Sequence, residues 1–382
     1  MAVAVICEFN PFHNGHAYFL DAVRRRVDEP VIAVMSGSFT QRGEVSLCSK
    51  FDRARAALRC GADLVTELPV VRAVSPAQRF AEGGVAVASG FECVTALAFG
   101  CETADLSLLQ AAADAAYDTA VQTRVRALMD AGEYYPRALQ KAVETVYGEP
   151  VARVLASPNN ILAVEYLRAL RGTNICPLPI LRTGAAHDSS LTTGRYASAS
   201  YIREQLRGGK DASAYLPCAV HDMTRPALLD RVLLCRLRSM DAAALAALPE
   251  VSEGLENRIL AAVRQYNSVE EILSAVKTKR YTHARLRRIL VYALLNITAD
   301  MQAQLPSYAR VLGFTERGAT LLKSFRGEVI TSVAAVMKSE SPNRDYLAKD
   351  ILATDIAALA YDTVKSCSTD YLTKIIRESC AE

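Results

Sequence analysis

The 382-residue chain has only five histidines, no C-x-x-C pair among its ten cysteines, no uninterrupted apolar run approaching about 18 residues, and a net charge of only +3. Each shortage removes a class of protein. Single, scattered cysteines, several inside apolar stretches (Cys7, Cys60, Cys176, Cys235), predict reduced thiols and no disulfide framework. The histidines at 13, 16, 187, 221 and 283 make one close pair and no second cluster, so zinc has no ligand set and no metal site is expected in the protein itself. Without a long apolar run or a basic, apolar leader, the expectation is a cytoplasmic chain with no membrane partner. The near-neutral charge excludes a uniformly basic nucleic-acid coat. A chain that is 51% hydrophobic and 22% charged is otherwise ordinary for a globular protein of two or three domains.

What is present begins at the amino terminus. Ala2 to Ile6 is short, apolar and unbroken, which predicts a strand buried on both faces, and Ala17 to Arg25 carries Phe19, Leu20 and Val23 at helical spacing. Between them runs Cys7-Glu8-Phe9-Asn10-Pro11-Phe12-His13-Asn14-Gly15-His16, so two histidines three apart fall at a strand-to-helix turn. Free N–H groups and the positive dipole end at a helix start favour an anion, with Asn14 as the expected N-cap and Gly15 open to close approach of a phosphate.

Further strand-like runs at Val31 to Met35, Leu64 to Leu68, Val94 to Phe99 and Leu178 to Leu181 alternate with helical patterns. This grammar predicts an α/β fold whose parallel sheet is covered on both faces, with its ligand crevice at the carboxyl ends of the strands. After about Gly208 helical patterns dominate, dividing the chain into residues 1–212 and a mainly α-helical 213–382. There Leu286, Ile289, Leu290, Ala293, Leu294 and Ile297 share one helix face.

Other segments fall on the expected ligand side. Arg42, after the second strand, offers a fork for a carboxylate or phosphate. Lys50 and Arg53 open a helix against its dipole, a cost of about 0.3–1 kcal/mol each that an anionic ligand would offset. Gly100 lets a base or ribose approach the main chain, while Asn159 and Asn160 supply a helix cap and a reader of a nucleotide's polar edge. Arg182 and the run Ser198-Ala199-Ser200-Tyr201-Ile202-Arg203 suggest a second phosphate cradle, in which Ser200 and Arg203 take part.

The His-x-Gly-His turn with Ser-x-Ser-x-Ile-Arg resembles the nucleotidyltransferase superfamily. More narrowly, Glu8 to His16, Met35 to Glu44, Gly61 to Pro69, Phe99 to Glu102, Pro158 to Leu162, Ser198 to Glu204 and Lys277 to Thr282, in that order over most of the chain, resemble the tRNA(Met) cytidine acetate ligase family. The resemblance implies a Rossmann-like nucleotidyltransferase domain at 1–212 followed by a helical, tRNA-binding domain at 213–382. It implies an AMP-forming ligase that activates acetate with ATP as acetyl-adenylate, then acetylates N4 of the wobble cytidine (C34) of elongator tRNA(Met), with Mg2+ accompanying the ATP phosphates. His13 and His16 would be catalytic. ATP contacts would fall on Cys7, Glu8, Phe9, Asn10, Pro11, Phe12, His13, Asn14, Gly15, His16 and Leu20, on Gly100, on Asn159 with Asn160 as the adjacent possibility, and on Arg182. Two departures stand out: Phe-Gly-Cys-Glu replaces the family's Phe-Gly-Ser-Glu, and Ala186-His187-Asp188 replaces Tyr-His-Asp.

Between Lys277 and Arg288 lie six basic residues (Lys277, Lys279, Arg280, Arg285, Arg287, Arg288), one histidine and no acid. This window, with Tyr281 for stacking or hydrogen bonding, is the expected seat of the tRNA backbone through Lys277, Lys279, Arg280, Arg285 and Arg288. The residues leave two rival readings open: an adenylyltransferase acting on a small cofactor precursor, and a non-catalytic RNA-binding protein with a nucleotide pocket.

Overall fold

The computed structural model describes residues 1–182, 192 and 194–379; His187 and Asp188 lie outside them. Among the described residues the strands are β1 (Ala2–Cys7), β2 (Val31–Ser36), β3 (Leu64–Leu68), β4 (Val94–Cys101), β5 (Cys176–Leu181), β6 (Tyr308–Phe314), β7 (Glu328–Ile330) and β8 (Ile376–Arg377). They form one sheet in the order β5-β4-β1-β2-β3-β6-β7, with β8 beside β6. Strands β1 to β5 are parallel, whereas β6 runs antiparallel to β3 and sets Arg310 opposite Glu67. The last three strands come from beyond residue 212, so the C-terminal half supplies one edge of the sheet as well as helices.

The unbroken apolar run of β1 is explained by burial on both faces. Ala2 and Ala4 join one core with Phe80 and Val85 of the helix Ala77–Gly90 and Val164 and Leu167 of the helix Pro158–Ala169. Val3 and Val5 join the opposite core with Leu20 and Val23 of α1 (Asn14–Arg26) and Ala54, Ala57 and Leu58 of α2 (Lys50–Arg59). Full burial of each Val or Leu side chain contributes about 1.5–3 kcal/mol, enough to hold both layers on the sheet.

The C-terminal helices form a separate apolar cluster in which Leu286, Ile289, Leu290, Ala293, Leu294 and Ile297 are all buried, as their spacing predicts. Phe39 and Val45 from the loop after β2 enter that cluster, which ties the helical half to the sheet's carboxyl edge.

Lys50 and Arg53 are internal groups, contrary to the expectation that they face a ligand. Lys50 Nζ donates to Glu67 at 2.9 Å and pairs with Asp370, and Arg310 pairs with the same two carboxylates. Two cations thus meet two carboxylates inside the fold, the pairing that a buried charge requires. Arg53 Nη1 donates to the carbonyls of Glu8 (2.6 Å) and Ser36 (3.0 Å), and Nη2 donates to that of Gly37.

Candidate active site

The strand order reverses direction at β1, whose neighbours are β4 and β2. A parallel sheet opens a crevice at the carboxyl ends of its strands at such a point. A cavity of about 310 Å³ lies there, lined by Ile6 and Cys7 at the end of β1, Phe99 and Gly100 on β4, and Ile180 and Leu181 on β5.

The first helix start facing it is that of α1. His13, not Asn14, is the N-cap: its Nδ1 accepts from the Gly15 N–H at 3.1 Å, and Nδ1 of His16 accepts from the His13 N–H at 3.3 Å. This is a capping box built from two imidazoles, a variant that residue-type preferences at caps do not reveal. With each Nδ1 accepting, the proton of each neutral ring rests on Nε2. The rings stack with centroids 3.7 Å apart. A Cβ on Gly15 would lie 2.9 Å from the His13 ring, so this turn requires glycine. Asn14 instead donates from Nδ2 to the carbonyls of Arg195 and Ala214, both at 2.9 Å.

Upstream, Phe9 sits at φ 49°, a left-handed conformation that bulky residues rarely adopt, and the Asn10–Pro11 bond is cis. The segment is held on several sides. Arg203 Nη1 donates to the Asn10 carbonyl (2.8 Å), Asn10 Oδ1 accepts from the Leu47 N–H (2.7 Å), and Glu8 Oε1 accepts from the Gln41 N–H (2.6 Å).

A second helix start faces the same space. Ser198 caps the helix Ala199–Arg207 by accepting from the Tyr201 N–H, and Ser198, Ala199, Ser200 and Arg203 all line the cavity. Arg182 stands on the wall beside Gly100. Two positive helix ends and the guanidiniums of Arg42, Arg182 and Arg203 therefore surround one pocket, the arrangement an anion selects. Burial, then Arg182 and Arg203, pull His13 down to about 3 and keep its ring uncharged. Burial, His13 and Arg182 likewise hold His16 well below the ordinary imidazole range. Burial raises Glu8 against the opposing pull of the Gln41 N–H and of Arg203, Arg53 and Arg42.

Of the residues singled out in the sequence, Cys7, Glu8, Phe9, Asn10, His13, Gly15, His16, Arg42, Gly100, Asn159, Arg182, Ser200 and Arg203 line the cavity. Pro11, Phe12, Asn14, Leu20 and Asn160 do not. Leu20 is fully buried in the core beneath α1, while its neighbour Phe19 reaches the wall. Neither asparagine caps a helix: Asn160 Oδ1 accepts from the N–H groups of Glu102 and Thr103, and Asn159 Nδ2 donates to Glu102 at 2.6 Å, so both fasten the end of β4. Thr40 and Gln41, within the segment Met35 to Glu44, also line the cavity, as do Tyr18 and Tyr166, which carry no motif that marks them. Among the described residues no group of three or more His, Cys, Asp or Glu is placed to hold a metal ion, and no helix is long and apolar enough to cross a membrane.

The basic window occupies the start of the helix His283–Leu295 and the loop before it. Acids from a distant turn meet part of it: Arg288 forms two 2.6 Å bonds with the Glu250 carboxylate, Arg285 donates to the Glu250 carbonyl, and Arg280 pairs with Glu253 at 3.1 Å. Tyr281 is buried with Arg285 against its ring and offers no face to a base. Arg287 pairs at 2.9 Å with Glu44, a residue of the cavity wall, so the basic helix adjoins the pocket.

A family model described as HIGH Nucleotidyl Transferase matches residues 1–371. The tRNA(Met) cytidine acetate ligase of Thermoanaerobacter sp. (strain X514) is 35% identical over 400 residues, covering 98% of this chain and 99% of that one. The chain belongs to the tRNA(Met) cytidine acetate ligase family. Another member of the family, from Latilactobacillus sakei, is 38% identical over 359 residues, 88% of this chain and 89% of that one. Crystal structures of Thermotoga maritima TmcAL superpose over 99% of both chains, with TM-score 0.90 at 30% identity for an apo form and 0.88 at 29% identity for a form bound with alpha-thio ATP. The fold read from the sequence, a Rossmann-like nucleotidyltransferase domain with a helical C-terminal region, is the fold of this family.

Proposed function

We propose that the chain uses ATP to join acetate to N4 of the wobble cytidine (C34) of elongator tRNA(Met), releasing AMP and pyrophosphate. The observation that carries this reading is the pocket itself: two helix starts, Arg182 and Arg203 surround a stacked pair of neutral imidazoles at the switch point of the sheet. An acetate oxygen attacks the α-phosphorus of ATP, the bond from that phosphorus to the bridging oxygen of the β-phosphate breaks, and pyrophosphate leaves with the electron pair. The cytidine amine then attacks the acyl carbon, AMP leaves with the oxygen that came from acetate, and the amine loses a proton.

The protein's part is to bind and stabilise charge. The Nε2–H groups of His13 and His16 and the N–H groups at the start of α1 donate to phosphate oxygens where charge gathers in the transition state. Pyrophosphate oxygens are neutralised by Arg203 and the helix start at Ser198, and the nucleoside side lies along Gly100, Asn159 and Arg182. Magnesium would travel on the phosphates, since the described residues form no carboxylate cage and Mg2+ keeps much of its own water.

Residues 1–212 carry the nucleotide chemistry and 213–382 hold the tRNA. Lys277, Lys279 and Arg280 supply backbone contacts, while the Glu250 pairing makes Arg285 and Arg288 lesser contributors. The contact of this helix with the Gln41–Glu44 loop supports delivery of an anticodon-loop base, which can be splayed out without opening a duplex, to the pocket. Incubation of tRNA with ATP and acetate, followed by mass analysis of its nucleosides, is expected to show N4-acetylcytidine at position 34. Acetate-independent AMP formation, or acetylation elsewhere, would refute the assignment.

A further inference from the structure

The inner wall of the cavity differs from its phosphate-binding mouth. Ile6, Phe80, Phe99 and Leu162 present carbon there and belong to the same apolar cluster as Tyr166. Leu162 and Tyr166 are one helical turn apart on the helix Pro158–Ala169, and the rings of Phe99 and Tyr166 lie 5.8 Å apart. Tyr166 is only 2% exposed, yet its hydroxyl has no hydrogen-bond partner among the described residues. An unpaired buried hydroxyl is costly, and phenylalanine would fill the same space without that cost. A donor kept in an apolar wall that opens on a substrate pocket is placed for a ligand atom.

We propose that this wall is the acyl subsite: the Tyr166 hydroxyl donates to the acetate oxygen that does not attack, and Ile6, Phe80, Phe99 and Leu162 enclose the methyl group. The inference rests on the acetate-activating reading above. Acetate suits the wall because it presents one carboxylate to one donor and one methyl to carbon, whereas the polar edge of adenine sets a donor beside an acceptor and asks for more than one partner. Arg203 lines the same cavity, so positive charge is at hand for the carboxylate. Selection against longer acids follows from the closed apolar side: each added methylene must displace Phe80, Phe99 or Leu162.

Acetate-dependent exchange of labelled pyrophosphate into ATP tests this on the full chain. Tyr166→Phe removes one oxygen and is expected to raise KM for acetate roughly tenfold or more, the loss of a hydrogen bond to a charged group, with KM for ATP unchanged. Leu162→Ala is expected to raise the propionate-to-acetate ratio of kcat/KM by about tenfold or more, as one methylene of pocket space allows. If Tyr166→Phe instead raised KM for ATP, or changed neither constant, the hydroxyl would not serve the acyl group and the subsite would be refuted. Absence of acetate-dependent exchange in the unaltered protein would refute the functional reading itself, and the subsite with it.

Discussion

His16→Ala separates the chemistry of the amino-terminal turn from its folding. Two losses are expected. The ring's Nδ1 accepts from the His13 N–H and the ring stacks on His13 at 3.7 Å, so its removal leaves a helix-start N–H unpaired, at about 1 kcal/mol. Loss of one donor to the developing phosphate charge costs about 100- to 1000-fold in rate, or about 2.7–4 kcal/mol. His16→Gln isolates the second term. Glutamine is a natural partner at this position of a capping box, so its amide oxygen can take the His13 N–H, while its flexible NH2 group lacks the ring fixed by stacking on His13 that aims the imidazole Nε2–H. Single-turnover AMP formation should therefore fall in both variants, whereas thermal stability should fall in His16→Ala and recover in His16→Gln. Affinity for tRNA, measured by direct binding, should stay near that of the unaltered chain in both. Equal losses of tRNA affinity and AMP formation, or a fully active His16→Gln, would refute the assignment of this ring to the reacting phosphate.

The folded His13 value, about 3, lies below the ordinary 6.5, so between those values the unfolded chain binds more protons. Its contribution is complete above about pH 6.5 and is lost as pH falls, at up to about 1.4 kcal/mol per pH unit; urea unfolding across this range should show a shallower slope for His13→Ala, and an unchanged slope contradicts the buried neutral ring. Asp370→Asn leaves Glu67 as the remaining ion-pair partner of Lys50 and Arg310 among the described residues and should destabilise by about 3–5 kcal/mol in urea unfolding, whereas a loss near zero would show that the network is not coupled. Gly43→Ala adds a Cβ 2.5 Å from the main chain of Arg287 and Arg288 at a φ of +72°, and should cost about 1–3 kcal/mol in the same assay. Among the described residues Lys277 and Lys279 have no ion-pair partner, so replacing both with alanine should reduce the magnitude of the salt slope of tRNA binding by about two; an unchanged slope removes them from the RNA face.

The cavity at the strand ends was legible in the sequence because its parts are local: β1, the histidine turn and the start of α1 are continuous, and strand ends repeat the same pattern at Gly100 and Arg182. What escaped depends on partners far away in sequence. Lys50 and Arg53 looked like ligand groups until Glu67, Asp370 and the carbonyls of Glu8 and Gly37 were brought to them by the fold. The Lys277 to Arg288 window is free of acid in sequence, yet Glu250 and Glu253 meet three of its arginines in space. Strand β6 was hidden by Arg310, a charge that reads as exposed and is buried only because two carboxylates receive it. Tyr166 had no signal at all, since an aromatic on an apolar helix face ordinarily means core packing.

Acetate labelled with oxygen-18 at both oxygens measures the central step directly when it is supplied with ATP and tRNA and the released AMP is weighed by mass spectrometry. Attack of acetate on the α-phosphorus predicts one labelled oxygen in each AMP and the other in the acetyl group of N4-acetylcytidine. AMP without label beside acetylated tRNA would contradict an acetyl-adenylate intermediate and, with it, the role assigned to His13 and His16.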